Sequence, residues 1–242
     1  MFNFVDSKIT LEAETHTYCH QNFPGFKFTS GTTLLKPYFE AFNGMEIATN
    51  LCNTNYKYMD MNPEDLVKAW NDLRDQGTKI HAEIEDYIKD GTAPTENKAK
   101  NGVKWLDKYV KKMDLTILPE VIIYNIKLGI AGTIDLLTYD EFSDSYEIID
   151  WKSNKKIDTT SFNGKMGIHP ITEDLEDCKL TRYALQLSLY RYILETCYNL
   201  TISGQMLVHL TDKKCRKIRT PYYKEHVIQI INNKKEIECN IK

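Results

Sequence analysis

Near residue 114 the hydrophobic pattern of the chain changes its period, and this change limits the folds that the chain can adopt. Before it, the segments 62–91 and 96–112 repeat apolar residues at the spacing of an amphipathic helix. After it, "TILPEVIIY", "GIAGTIDLLTYD" and "YEIIDWKS" are short runs rich in β-branched and aromatic residues, with turn-like stretches between them. Long helices followed by three adjacent strands predict an α/β domain with a mixed central sheet flanked by helices.

The segment 62–91 carries the strongest helix signals. Asn62 can cap the helix, Pro63 fits its first position, and Gly91 ends it. Gly77 lies in the middle of the segment and is a candidate break.

Other segments complete the expected domain. Short strands are expected within 8–29 around the turn "NFPGF", and the further elements are a short helix at 32–42, a helix at 182–198, the strand "QMLVHL" at 205–210 and a helix at 222–236. A chain of 242 residues favours one domain, 1–242. Its expected parts are an N-terminal strand and helical extension (1–60), a helical part (61–113), a catalytic sheet core (114–220) and a C-terminal helix (221–242).

Composition argues against several classes of protein. No apolar run approaches the roughly 20 residues that a membrane-spanning helix needs, so no membrane partner is expected. The N-terminal "MFNFVDSKIT" lacks the basic and apolar regions of a secretory leader, so the expected location is the cytoplasm. No two cysteines sit at CxxC spacing, which makes disulfides and a zinc site weak interpretations. The cysteines are Cys19, Cys52, Cys178, Cys197, Cys215 and Cys239.

The formal net charge of −3 excludes a general nucleic-acid coat but leaves room for a local basic groove. Basic residues cluster in "KSNKK" (152–156), in "KKCRKIR" (213–219) and along the helix at 96–112. Each cluster taken alone is more often a solvated face. The candidate nucleic-acid contacts among them are Lys104, Lys108, Lys155 and Lys156.

Two predicted strands carry carboxylates. Asp135 follows "GTI" and Asp150 follows "EII", so neighbouring strands would bring both side chains to one edge of the sheet. Lys152 shares the face of Asp150, whereas Trp151 points the other way into packing. Adjacent carboxylates repel each other, and a divalent cation such as Mg²⁺ or Mn²⁺ removes that cost. Together with a lysine that stabilises charge on a phosphate or activates water, this set suits metal-assisted phosphodiester hydrolysis.

The tripeptide Asp/Glu-x-Lys alone carries little information, because it occurs five times in the chain. Elsewhere an exposed ion pair is its ordinary interpretation. Only Asp150-x-Lys152 ends an apolar strand and follows a second strand that contains Gly-x-x-Asp.

Two predicted helices add residue pairs that share a face. Gly77 and His81 are four apart, as are Gln186 and Tyr190. Ordinary interpretations stay open for each: a surface or core position for His81, a tolerated polar position for Gln186 and a core position for Tyr190.

Five spaced motifs together resemble the PD-(D/E)XK nuclease superfamily, in particular its RecB-type branch. They are Gly77-x-x-x-His81, Glu120, Gly132-x-x-Asp135, Asp150-x-Lys152 and Gln186-x-x-x-Tyr190, in the order of the family. The upstream "ETHTYCHQ" and "FKFTSGTTLLKPYFEAFN" are similar to the N-terminal segment of phage-encoded exonucleases related to the mitochondrial genome maintenance exonuclease. "GTID" stands where the family name has "PD".

The resemblance implies a restriction-endonuclease-like core and one or two Mg²⁺ or Mn²⁺ ions. The implied metal ligands are Asp135, Asp150, the Trp151 carbonyl, His81 and Glu120. The implied catalytic residues are Lys152, Asp150, Asp135, Gln186 and Tyr190. An exposed strand end is the alternative for Glu120. Iron–sulfur members of the branch carry a tight C-terminal cysteine cluster, which this chain lacks, so no iron–sulfur cluster is expected.

The expected function is that of a metal-dependent deoxyribonuclease, an exonuclease acting on single-stranded DNA ends in recombination, repair or replication. The strand preference follows from the resemblance and from aromatic residues near basic ones, which are Tyr56, Tyr58, Trp105, Tyr109 and Phe162. A structure-specific endonuclease and a non-catalytic DNA-binding protein on the same fold are the alternatives. No Walker A motif is present, so ATP-driven unwinding would need a partner such as a helicase or recombinase.

Overall fold

A computed structural model describes residues 4–12 and 15–240, the side chains of 237–240 excepted. Residues 13 and 14, within the range 8–29 where short strands were expected, both chain ends and the side chain of Cys239 lie outside the described residues. The elements are β1 (Ile9–Glu12), β2 (Thr17–His20), β3 (Thr29–Ser30), α1 (Gly31–Leu35), α2 (Gly44–Thr54), α3 (Pro63–Asp90), α4 (Asn97–Met113), β4 (Thr116–Asn125), β5 (Ile130–Asp140), β6 (Ser145–Lys152), α5 (Lys179–Cys197), β7 (Ile202–Leu210), β8 (Cys215–Arg219) and α6 (Lys224–Asn240).

A six-stranded mixed sheet forms the centre of the fold. Its order is β3-β5-β6-β7-β8, and β4 pairs with β5 along nearly its whole length. The β3–β5 and β6–β7 pairs are parallel and the other pairs are antiparallel. The α/β class with a mixed central sheet flanked by helices is therefore confirmed, and it is consistent with a nuclease-like core.

Helices cover both faces of the sheet, and each face has its own hydrophobic cluster. Ile148 packs in the cluster that includes residues of α5 and α6, and Ile149 packs in the cluster that includes residues of α3 and α4. Successive strand residues point to opposite faces, which explains why these neighbours separate. Trp151 lies in the second cluster and is 2% exposed, so the expectation that it points into packing is confirmed.

The structure corrects several boundaries. The expected break at Gly77 is wrong, because α3 runs unbroken from Pro63 to Asp90. The short helix expected at 32–42 ends at Leu35 and continues as one 3-10 turn, Lys36–Tyr38. The sequence analysis also missed α2 and β8.

The described helices include none that is long and apolar enough to cross a membrane. The five cysteines whose side chains are described are all free thiols.

Gly102 in α4 offers a test of the packing between the helices and the sheet. A Cβ at Gly102 would lie 2.8 Å from Ile84 Cδ1 and 3.2 Å from Leu210 Cδ2. Alanine in a helix normally stabilises by roughly 1 kcal/mol relative to glycine. Because Ile84 is fully buried, we expect Gly102→Ala instead to lower the free energy of unfolding by about 1–3 kcal/mol.

Urea unfolding of Gly102→Ala, of Ile84→Val and of the double variant measures this effect. Ile84→Val removes Cδ1, the atom that the new methyl group meets, so the double variant should recover part of the loss. A Gly102→Ala variant more stable than the wild type would contradict the close packing of α4 on α3.

Candidate active site

Two carboxylates lie side by side where β5 and β6 pair. Leu136 pairs with Ile149 in the antiparallel register, and the next position brings Asp135 opposite Asp150. The backbone N–H of Trp151 donates a hydrogen bond to Asp135 Oδ2 at 2.8 Å. Neighbouring strands therefore bring the two predicted acids together, as the sequence analysis expected.

Lys152 contacts the second carboxylate. Its ammonium forms an ion pair with Asp150 Oδ2 and lies 4.6 Å from the centroid of the Tyr183 ring. Burial raises the pKa of Asp150, and the charge of Lys152 opposes that shift. Burial lowers the pKa of Lys152, but the charges of Asp150 and Asp135 outweigh it, so this pKa lies above its ordinary value. Lys152 is therefore protonated at neutral pH.

Asp150 Oδ2 is buried, and its partner among the described residues is the Lys152 ammonium. A buried carboxylate oxygen is costly unless it is paired. The ammonium of Lys152 therefore offsets the cost of burying Asp150.

His81 and Glu120 lie on either side of Asp135. His81 Nδ1, on α3, is 3.3 Å from Asp135 Oδ2. In β4, Pro119 pairs with Leu136 and Val121 with Ile134, so the register places Glu120 opposite Asp135.

Glu120 is partly buried, and with Asp135 and Asp150 it forms what we call the acidic group. Its φ of 49° is left-handed, and the ladder between β4 and β5 skips this residue. Burial first, and the charge of Asp135 second, raise the pKa of Glu120 to about 8. These observations argue against the alternative of an exposed strand end.

The donor set suits a metal that needs few protein ligands. In the described part of the chain, no three His, Cys, Asp or Glu side chains converge closely enough to hold a metal ion by themselves. Magnesium usually takes one or two carboxylates and fills its remaining positions with water and substrate phosphate. Asp135 and Asp150 are residues of the type that could hold Mg²⁺ or Mn²⁺ in this way. Ligation by these two carboxylates, by His81 and Glu120, and by the Trp151 carbonyl stays a prediction.

Tyr190 supports the strand that carries Asp135. The side chain of Tyr190 is buried, and Gln186 Nε2 donates to its hydroxyl at 3.1 Å. A Cβ at Gly132 would lie 2.4 Å from Tyr190 Cε1, and one at Gly31 would lie 2.8 Å from the same atom. The glycine of Gly132-x-x-Asp135 thus makes room for the tyrosine ring. A direct role of Gln186 or Tyr190 toward the lysine, the metal or DNA stays a prediction.

The backbone after Lys152 is fixed by residues that the sequence analysis missed. Lys98 Nζ donates to the Ser153 carbonyl at 2.8 Å, and His209 Nε2 lies 2.6 Å from the Asn154 carbonyl oxygen. Lys152 pairs with His209 in the parallel register of β6 and β7, and this pairing places His209 next to the loop. A contact between such distant parts of the chain leaves no local pattern in the sequence.

The close packing of α3 accounts for the glycine in Gly77-x-x-x-His81. A Cβ there would lie 3.0 Å from Ser153 Oγ, so glycine lets α3 approach the loop after Lys152. His81, one turn further along α3, then reaches Asp135.

The candidate nucleic-acid contacts lie at the surface. All four lysines are exposed: Lys104, Lys108, Lys155 and Lys156. Lys155 and Lys156 follow β6 in the sequence, and Lys156 forms an ion pair with Asp158 at 3.0 Å.

The aromatic residues that the sequence analysis placed near basic residues divide into packed and exposed side chains. Trp105 and Tyr109 stack with ring centroids 4.9 Å apart, and Tyr109 donates to Glu147. Tyr58 is half-buried against α2 and α3. Tyr56 is 89% exposed and Phe162 is 76% exposed, so these two rings are accessible to a ligand.

Comparisons with known proteins add little. No family model and no curated protein matches the sequence. The crystal structure of SSO0001 matches with a TM-score of 0.39 and 11% sequence identity, over 87% of this chain and 75% of that chain. A likeness this distant carries no argument about ligands or chemistry.

The raised pKa of Glu120 predicts a pH-dependent stability in the absence of metal. Below the ordinary pKa of a glutamate, near 4.5, the residue is protonated in both the folded and the unfolded state. As the pH rises toward 8, the unfolded chain ionises first, so the folded protein loses stability. We expect Glu120→Gln to raise the melting temperature at pH 8–9, by roughly 2–4 °C for each kcal/mol recovered, and to change it little at pH 4–5.

Thermal unfolding in EDTA at both pH values measures this difference. Glu173→Gln, at an exposed position in a turn, serves as the control. A melting temperature that Glu120→Gln leaves unchanged at both pH values would contradict the burial of Glu120 in the acidic group.

Proposed function

We propose that this chain is a metal-dependent deoxyribonuclease that hydrolyses phosphodiester bonds, as an exonuclease on single-stranded DNA ends. The observation that carries the proposal is the convergence of Asp135, Asp150 and Lys152 at one position of the sheet. Two carboxylates on adjacent strands, one of them ion-paired with a lysine, match what phosphodiester hydrolysis requires.

The carboxylates would hold the metal. Asp135 is oriented by the Trp151 N–H and the His81 ring, and Asp150 lies against Lys152. When bound, Mg²⁺ or Mn²⁺ supplies Lewis-acid polarisation of the phosphodiester and lowers the pKa of a bound water.

Lys152 would act on the transition state. The charges of the neighbouring carboxylates raise its pKa above the ordinary value, so its ammonium is a hydrogen-bond donor in the metal-free protein. Its ammonium would donate to the phosphate oxygen on which negative charge builds. Such a contact strengthens as the reaction proceeds, so it raises kcat more than it raises affinity for DNA.

Single-strand binding would use the segment that follows the catalytic strand. Phe162 is exposed in this segment, downstream of Lys155 and Lys156. A flexible strand can place its phosphates near the lysines while a base stacks on the ring, a contact of about 1–3 kcal/mol per base. The preference for strand ends rests on the family resemblance.

Cleavage of short DNAs labelled at either end, single- and double-stranded, tests the proposal in Mg²⁺, in Mn²⁺ and in EDTA. We expect metal-dependent shortening of single strands from an end and no cutting of a circular single strand. Cutting of the circle would favour the structure-specific endonuclease. Degradation that EDTA leaves unchanged would contradict the metal-dependent mechanism.

Replacing Lys152 tests the role of its ammonium. We expect Lys152→Ala to lower kcat by about 10²–10³-fold or more, because a donor to the developing charge is lost. The Kd for DNA, measured in EDTA, should stay near that of the wild type. Asp150→Asn should also weaken metal binding.

Lys8→Ala is the matched control, because Lys8 ends another Asp-x-Lys tripeptide and is exposed. It should cleave like the wild type. Near wild-type cleavage by Lys152→Ala would show that the lysine is wrongly assigned.

A further inference from the structure

Positive charge is concentrated in two neighbouring elements on one side of the molecule. α4 contains six lysines and one aspartate, and the segment 211–219 contains three lysines, two arginines and one aspartate. The net charge of the whole chain is −3, so the remaining residues are strongly acidic in sum. The fold does not require such a separation of positive and negative charge within one domain, but the separation creates a positive potential on one side of the protein.

The two elements run side by side from the end of the sheet where the carboxylates lie. Asn101 Nδ2 donates to the Thr211 carbonyl at 2.9 Å, and Lys217 Nζ lies 5.9 Å from the centroid of the Tyr109 ring. Lys98, in the first turn of α4, holds the Ser153 carbonyl next to Lys152. Both rows of basic residues therefore start beside the candidate active site and lead away from it.

Six of these lysines form what we call the α4–β8 strip: Lys104, Lys108, Lys112, Lys213, Lys214 and Lys217. All six are exposed, and none forms an ion pair with a carboxylate of the described residues. Arg219, at the far end of β8, differs because it pairs with Glu147 at 2.7 Å. Lys104, Lys108 and Lys112 are each four residues apart on α4, so these like charges repel each other, and a polyanion along the strip would relieve that repulsion.

We propose that the α4–β8 strip binds the phosphate backbone of the DNA, at nucleotides beyond those in the active site. Lys104 to Lys112 spans about 12 Å of helix. Lys213 and Lys214 lie in the turn before β8, and Lys217 lies further along this strand. A row of the length found on α4 matches an extended polyanion better than a single phosphate group. The identification of this polyanion as DNA rests on the proposed function.

An anionic membrane fits the strip less well. Membrane-surface helices combine basic residues with several large apolar side chains that enter the lipid. Among the described residues of α4 and 211–219, Met113 is the one large apolar side chain that is well exposed. The exposed chemistry of the strip is therefore cationic and not amphipathic.

The test compares two variants with the same change of charge. The strip variant carries Lys104→Gln, Lys108→Gln, Lys213→Gln and Lys217→Gln. The control variant replaces four exposed lysines elsewhere on the molecule, Lys27→Gln, Lys68→Gln, Lys127→Gln and Lys224→Gln. The Kd for a long labelled single strand is measured by fluorescence anisotropy in EDTA at several salt concentrations, with circular dichroism to check folding.

We expect the strip variant to bind about tenfold or more weakly at low salt, and the slope of log K against log[salt] to fall by about 3, since four phosphate contacts are lost. The control variant should keep the affinity and the slope of the wild type. An unchanged strip variant, or an equal loss in both variants, would overturn the proposal. Strip-dependent binding to phosphatidylserine vesicles without binding to DNA would overturn it in favour of a membrane.

The double variant Lys213→Gln/Lys217→Gln, with half the charge change, keeps the test valid if the fourfold variant does not fold. The binding assay is also independent of cleavage. A wild type that binds through the strip but cleaves nothing would contradict the nuclease proposal alone. A wild type that cleaves, with a strip variant that binds normally, would contradict the strip alone.

Discussion

Two carboxylates lie side by side where β5 and β6 pair, and the surrounding residues have to offset their mutual repulsion. Each negative charge raises the cost of the other, and burial adds to that cost. Asp135 accepts the Trp151 N–H, and Asp150 contacts the Lys152 ammonium. The Lys152 ammonium offsets one of the two negative charges, and under the proposed function a divalent cation would offset the remaining repulsion.

The distribution of charge extends this account beyond the carboxylates. A cluster of acids repels a phosphate backbone, so substrate would approach the site only where other groups offset the repulsion. Lys155 and Lys156 lie shortly after β6 in the sequence, and the α4–β8 strip begins at the same end of the sheet. Hydrolysis would then depend on the carboxylates and Lys152, and binding of the DNA backbone would depend on the other lysines. Substitutions can therefore alter hydrolysis and backbone binding independently.

The local pattern of apolar and polar residues predicted much of the fold. The elements and contacts that it did not predict depend on tertiary structure. The alternation of side chains along β6 correctly predicted that Trp151 lies in the core and that Asp150 and Lys152 share the opposite face. The expected break at Gly77 was wrong, because this glycine serves a close contact with Ser153 and leaves the helix intact. β8 was missed because its sequence, "CRKIR", is dominated by charge. In the site, the burial of Glu120 and the contact of His209 depend on strand register, which no local pattern encodes.

Binding of Mn²⁺ to the wild type and to Asp150→Asn, followed by electron paramagnetic resonance with and without a bound single strand, tests the central claim most directly. The account predicts that the wild type binds Mn²⁺, more tightly when the strand is present, because phosphate completes the coordination. Asp150→Asn should bind at least about tenfold more weakly, as expected when a carboxylate ligand is lost. Absence of Mn²⁺ binding by the wild type in both conditions, or equal binding by the variant, would contradict the assignment of these carboxylates to a metal-dependent nuclease.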